Sequence, residues 1–271
     1  MKFVFKFILT TLFIPLFLLF LAGITVRFQF LEASFWENAF STNDTYSKLS
    51  VSVSRSLESK TIAEGGKSSD IKILTDLISP ENLKDVIDKN IINILQYADG
   101  RADEFNVYVP VSKIPKSLLS KSFDKVTEQM SLVALLKEFN VSGVSVAQIQ
   151  TISHIGFGSW VFLTIATLLL FLLLYLLFLC TNRGKRLIAP GLALIISGIS
   201  VLLVTALGII IQISWTKDLV GSSNLGDSLI GAVVPPIIQD VLRMWLSFAV
   251  VAIILGVALL FLIRPVYNRR K

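Results

Sequence analysis

This chain holds a single histidine, His154, and a single cysteine, Cys180, and each scarcity removes a class of function. One imidazole gives no basis for a multi-histidine metal site or for a serine–histidine triad within the chain. One thiol leaves every segment without a disulfide framework. Charge is also scarce, at 16% of residues against 54% hydrophobic, with a mean hydropathy of +0.73. That balance is too apolar for an ordinary soluble domain. No phosphate-cradling glycine loop, zinc spacing or nucleophile elbow is present in the sequence. Neither an enzyme nor a cofactor is expected.

The missing charge is concentrated in four places. Phe7 to Val26, Ile155 to Cys180, Leu187 to Ile213 and Met244 to Ile263 contain no Asp, Glu, Lys or Arg. A helix rising about 1.5 Å per residue needs about 20 apolar residues to cross roughly 30 Å of hydrocarbon. All four stretches reach that length, so four transmembrane helices are expected. The charges that remain are sorted by side. With a cytoplasmic amino terminus, the inner segments hold Lys2, Lys6, Arg183, Lys185, Arg186, Arg264, Arg269, Arg270 and Lys271, and no acid. The other 16 basic residues share the opposite side with all 19 acidic ones. This is the positive-inside pattern, and it predicts a multi-pass plasma-membrane protein with both termini cytoplasmic. The sequence pI near 9.4 then reflects contact with anionic headgroups rather than with nucleic acid.

Three regions follow: a first transmembrane helix over residues 1–26, an extracytoplasmic domain over 27–154, and a three-helix membrane region over 155–271. The first run exceeds the roughly 7–15 apolar residues of a signal core, and Ala22-Gly23-Ile24 is a poor cleavage site, so an uncleaved anchor is expected. Pro15 predicts a kink near its middle. The second and third spans are joined only by Thr181-Asn182-Arg183-Gly184-Lys185-Arg186, which forces an antiparallel hairpin. Leu229 to Ile238, with Pro235-Pro236, reads as a surface-lying start to the last helix rather than a re-entrant segment.

In the outer region, Leu31, Phe35, Trp36 and Phe40 mark one face of a helix continuing out of the membrane. Tyr46, Leu49, Val53 and Leu57 repeat that spacing up to a break at Glu64-Gly65-Gly66-Lys67-Ser68-Ser69, although Ser50 to Ser54 also alternates like a strand. Ser79, Pro80 and Glu81 supply a cap, a first helical position and an acid in the first turn. Leu83, Val86, Ile87, Ile91, Ile94 and Leu95 form the apolar stripe, and Asp99-Gly100 ends it. Phe105, Val107, Val109 and Val111 then alternate with polar neighbours, predicting one short extended segment that Pro110 confines to an edge. Pro115 opens a helix through about Met130, and Leu132 to Phe139 adds another. The fold class is therefore all-α, with four membrane helices and a mainly helical outer domain.

Functional residues are few. Ala193 with Ser197, and Ala252 with Gly256, are small-xxx-small pairs, the candidates for helix packing in the third and fourth spans. Thr10, Thr11, Thr164, Thr167, Ser197, Ser200 and Thr205 are read as bonding to their own helix or to a neighbouring one rather than lining an ion path. Leu168 to Phe178 reads as lipid-facing. His154 suits an interfacial place, and Cys180 a plain thiol, although juxtamembrane cysteines are open to acylation. Asp99 to Glu104 is too sparse in oxygen for a calcium loop, and the sequons at Asn43 and Asn140 are taken as chance.

The run Leu77-Ile78-Ser79-Pro80-Glu81-Asn82-Leu83 through Tyr97-Ala98-Asp99-Gly100, leading into Phe105-Asn106-Val107-Tyr108-Val109-Pro110-Val111, resembles a pattern in uncharacterised bacterial four-span envelope proteins. That family has no assigned activity to carry over. Animal claudins share the order of spans, but their paired loop cysteines and Gly-Leu-Trp motif are absent here. The expected partners are the lipid bilayer, a protein or envelope component bound through residues 27–154, and a second copy of the chain in a homo-oligomer. The expected role is a non-enzymatic interaction or sensing protein acting through the outer domain, the alternative being a subunit of an oligomeric transporter or channel.

Overall fold

The computed structural model describes residues 2–42, 44–63, 78–113, 127–138, 146–181, 185–219 and 225–262. The expected break at 64–69, the helix opening at Pro115 and the carboxyl-terminal basic tail lie outside them. Two compact units divide the chain. A membrane unit comprises Met1–Arg27, Ser159–Trp215 and Ile238–Lys271, and a second unit comprises Phe28–Gly158 and Thr216–Ile237.

Among the described residues four helices are long and apolar enough to span a bilayer, and the protein is a multi-pass membrane protein. They are α1 (Lys2–Thr25), α7 (Ile155–Leu179), α8 (Ile188–Leu219) and α9 (Leu225–Phe261). Pro15 lies inside α1, and Pro235 and Pro236 lie inside α9, so 229–238 is part of the last helix. The membrane unit is cored by side chains at helical spacing. Leu9, Phe13, Phe17 and Leu21 recur every fourth residue on α1, and Leu163, Leu170 and Leu177 every seventh on α7. Ala189, Ala193 and Val201 of α8, with Ala249 and Ala252 of α9, complete the cluster. Such spacings keep one face of a 3.6-residue helix turned towards its neighbours. Most other large apolar side chains, such as Phe171 at 67% exposure, face outwards, as a lipid-solvated surface requires. Of the stretch Leu168 to Phe178, expected to face lipid, Leu168, Leu169, Phe171, Leu172 and Tyr175 do face outwards, whereas Leu170 and Leu177 are buried.

The second unit begins where α1 passes through a π-helical turn, Val26–Phe30, and the helix breaks at Leu31 and Glu32. The helix expected to continue out of the membrane is therefore a separate one, α2 (Ala33–Thr42). The Trp36 indole N–H donates to the Phe30 carbonyl at 2.9 Å and fastens the break. Asp44, with φ of 53°, takes the left-handed conformation that a short Asx side chain tolerates, and starts the turn into α3 (Thr45–Ala63). Ser50 to Ser54 is helical, and the Ser50 hydroxyl donates to the Ile78 carbonyl at 2.6 Å. Next comes α4 (Pro80–Ala98), whose Ser79 side chain accepts from the Asn82 amide at 3.3 Å. Gly100, at φ of 71°, provides the left-handed residue after its end.

Beyond α4, β1 (Asn106–Tyr108) pairs antiparallel with β2 (Gln129–Ser131), placing Val107 opposite Met130. The helix expected from Pro115 through about Met130 is corrected at its end: Gln129 and Met130 belong to β2, held by the ladder with β1. The buried face also differs from the alternation pattern, since Tyr108 is buried while Val107 is half-buried. Two short helices, α5 (Leu132–Glu138) and α6 (Val146–Ile152), lead on to α7.

Candidate functional site

Three places in the structure bring side chains together: a glycine seam and a basic cleft in the membrane unit, and a polar–aromatic core in the second unit. At the seam, a Cβ on Gly256 would stand 2.6 Å from the Gly191 carbonyl oxygen and 2.7 Å from Ile195 Cγ1. A Cβ on Gly191 would stand 2.9 Å from the Gly256 carbonyl, and one on Gly198 would stand 2.8 Å from the Ala249 carbonyl. The backbones of α8 and α9 thus approach closely at two levels, with Ile195 packed beside the first and Ile253, whose Cγ1 would stand 2.6 Å from a Cβ on Gly198, beside the second. Ala193 is fully buried, Ala252 nearly so, and Gly256 sits in the seam itself. Gly191 and Gly198 escaped the sequence reading, though their seven-residue spacing on one helix face was a signal.

Ser197 is fully buried on α8, yet its hydroxyl has no hydrogen-bond partner among the described residues, and the same holds for Thr205. Thr164 and Ser200 donate to carbonyls four residues back in their own helices, at 2.9 Å each. Val201, fully buried, lies between Ser197 and Thr205 along α8, so apolar packing separates the two hydroxyls.

Hydrogen bonds and ring contacts also join helices within this unit. The Trp245 indole N–H donates to the Thr25 hydroxyl at 2.8 Å, which in turn donates to the Leu21 carbonyl at 2.9 Å. The Arg27 guanidinium lies 4.9 Å from the Trp160 ring centroid, a cation–π contact. At the opposite end of α1, a cleft of about 490 Å³ is lined by residues of α1, α8 and the segment before α8, among them Lys6, Thr10, Thr181 and Lys185.

In the second unit, Phe30, Phe35, Trp36, Phe40 and Tyr46 form a chain of ring contacts with centroids 5.6 to 6.0 Å apart. Ile87, Ile91, Val233 and Ile237 pack on its buried end. The Tyr46 hydroxyl donates to Asp88, which also meets Lys84 Nζ at 2.8 Å. Burial, and then the bond to Asp88 and the charges of Asp88 and Glu37, raise the Tyr46 hydroxyl well above its ordinary value. The folded state therefore keeps this proton longer than the unfolded state does. Its stabilising contribution is whole below the unfolded value near 10 and declines as pH rises towards the folded one. Accordingly, Tyr46→Phe is expected to flatten the loss of stability as pH rises from about 10 to 12. Denaturation midpoints across that range check it; an unchanged slope would contradict the assignment.

A second polar group organises the strand pair. Asn90 accepts from the Tyr108 amide at 2.8 Å and donates to the Tyr108 carbonyl at 2.9 Å and the Val86 carbonyl at 2.8 Å. The Phe105 carbonyl and the Val109 amide bond towards β2, so Tyr108 points its backbone the other way. Asn90 thus satisfies the free edge of β1 as a one-residue substitute for a strand.

The charged loop after α4 is held locally. Asp99 pairs with Arg101 at 3.0 Å. Its carboxylate lies against the first turn of α7, where a Cβ on Gly156 would stand 2.5 Å from Asp99 Oδ1. A negative charge is favoured at that helix end. His154 is exposed and Cys180 is a half-buried free thiol. Among the described residues, no three His, Cys, Asp or Glu side chains converge in a metal-binding group.

No protein-family model matches the chain, and searches of curated proteins and of solved structures return no match.

Proposed function

We propose that this chain is a plasma-membrane protein with both termini in the cytoplasm, whose second unit stands outside and binds an envelope component through its surface. The reading is non-enzymatic: the membrane helices anchor, and the second unit makes the contact. The observation that carries it is the separate core of that unit, in which Phe40, Tyr46, Ile87 and Val233 gather around Ala39. A chain that needed only an anchor has no use for such a core. The sorting of acidic and basic residues supports the orientation. The resemblance of residues 77–111 to a pattern in bacterial envelope proteins is in keeping with this placement and lends no activity.

Site-specific photocrosslinking in intact cells tests the reading. Crosslinkers at exposed Glu81 and Arg101, in the full chain, are expected to give adducts of defined mass. Crosslinkers at Phe171, on the outward apolar surface, are expected to give lipid adducts only. The same adducts from Phe171, or none from the second unit, would overturn it. Orientation is read separately with a membrane-impermeant maleimide on Ser112→Cys and Lys271→Cys in a Cys180→Ser background. Labelling of the tail variant alone would reverse the topology.

The transporter-subunit reading draws on the unpartnered hydroxyls of Ser197 and Thr205. The buried Val201 between them leaves such a path dependent on assembly. Ion flux in liposomes that Ser197→Ala abolishes would favour this second reading.

A further inference from the structure

The cleft at the start of α1 combines two cations with an apolar wall. Among the described residues its charged lining is Lys6 and Lys185, with the hydroxyls of Thr10 and Thr181 nearby. The rest is apolar, including Leu192 and Ile196, both of which also face outwards. Among the described residues of the lining none is acidic, so none of them offsets the two ammonium groups. Lys6 stands one turn before Thr10 on α1 (i, i+4), and Lys185 stands just before α8, so cations from two segments of the chain converge.

We propose that this cleft is a binding site for one anionic phospholipid. Its phosphate lies between Lys6 and Lys185, and one acyl chain runs along Leu192 and Ile196. Charge complementarity selects the headgroup, because two ammonium groups at the edge of a bilayer attract an anionic lipid in preference to a zwitterionic one. The apolar wall selects a lipid over a free anion, since a soluble phosphate leaves that surface uncovered. At about 490 Å³ the cleft falls within the range of about 300–1,000 Å³ found for small-molecule sites. A lipid held there bridges α1 and α8. The inference is independent of what the second unit binds.

Native mass spectrometry of the delipidated full chain tests it, with phosphatidylglycerol and phosphatidylcholine of matched acyl chains as probes. The expected result is a preference for phosphatidylglycerol on the order of tenfold. The double variant Lys6→Gln, Lys185→Gln is expected to lose that preference, and Lys6→Arg, Lys185→Arg to keep it. Arg269→Gln, Arg270→Gln removes the same formal charge from the tail and is expected to keep it too. Equal retention of both lipids, or a preference that survives the lysine-to-glutamine pair, would overturn the site. So would an equal loss in the tail variant. Displacement of phosphatidylglycerol by millimolar inorganic phosphate would show a soluble-anion site instead.

Discussion

Gly256→Ala is expected to lower the stability of the detergent-solubilised protein by about 2 kcal/mol or more. The added carbon would stand 2.6 Å from the Gly191 carbonyl, 2.7 Å from Ile195 Cγ1 and 3.1 Å from the Ile195 amide nitrogen. Two of those three neighbours are backbone atoms. A flexible side chain turns away at little cost, whereas a helical carbonyl moves only with its helix. The helices α8 and α9 must therefore separate, and the contacts of Ala193, Val201, Ala249 and Ala252 loosen with them. Gly256→Leu is expected to cost more, because the whole side chain must then find space. Gly158→Ala supplies the comparison: among the described residues, nothing beyond its own helix backbone and chain neighbours lies within 4 Å of its Cβ position, and alanine favours a helix over glycine by about 1 kcal/mol. Thermal unfolding midpoints should thus fall for Gly256→Ala and hold or rise for Gly158→Ala. Equal shifts in both variants would mean that the seam contributes nothing beyond helix propensity.

The other large effect belongs to Asn90→Leu, expected to destabilise the second unit by about 2–4 kcal/mol. Leucine is similar in size but offers no donor or acceptor. The amide and carbonyl of buried Tyr108 would each lose a partner at 2.8–2.9 Å, and each orphaned buried group costs about 1–3 kcal/mol. Lys89, whose ammonium sits 4.1 Å from the Tyr108 ring centroid, would lose an ordered platform as β1 loosens. Hydrogen exchange is the direct readout. The Tyr108 amide should become the fastest-exchanging amide of β1, while the Leu83 amide, bonded to the Ser79 carbonyl at 2.9 Å, remains protected. Unchanged exchange at Tyr108 would mean that another group holds the strand edge.

These two residues mark where the sequence is legible and where it is not. The spans can be read because a bilayer imposes one rule on every residue it touches, and an uncharged run satisfies that rule locally. The start of α4 is legible for a similar reason, as Ser79, Pro80 and Glu81 act within one turn. Asn90 is illegible because its partner lies eighteen residues away and only the folded strand presents it. Once Asn90 holds its backbone, Tyr108 becomes the buried residue, against the simple alternation of Val107 and Val109. Gln129 to Ser131 carries no alternation of its own and is a strand only because β1 lies beside it. In the seam, Ala193, Ser197, Ala252 and Gly256 show which residue sizes permit close approach. Which glycine meets which carbonyl depends on the crossing of two helices, and the Gly191–Gly256 pair is a property of that crossing.

The bond from Trp245 to Thr25 has a consequence in time. Its partners are 220 positions apart. At roughly 5–20 residues per second, about 10–40 s of translation separates their emergence. Through that interval Thr25 is already inserted and has only the Leu21 carbonyl to bond. Assembly of the bundle is therefore completed by its last arrival, and the nascent first helix must wait, incompletely packed, within reach of insertion chaperones and membrane proteases.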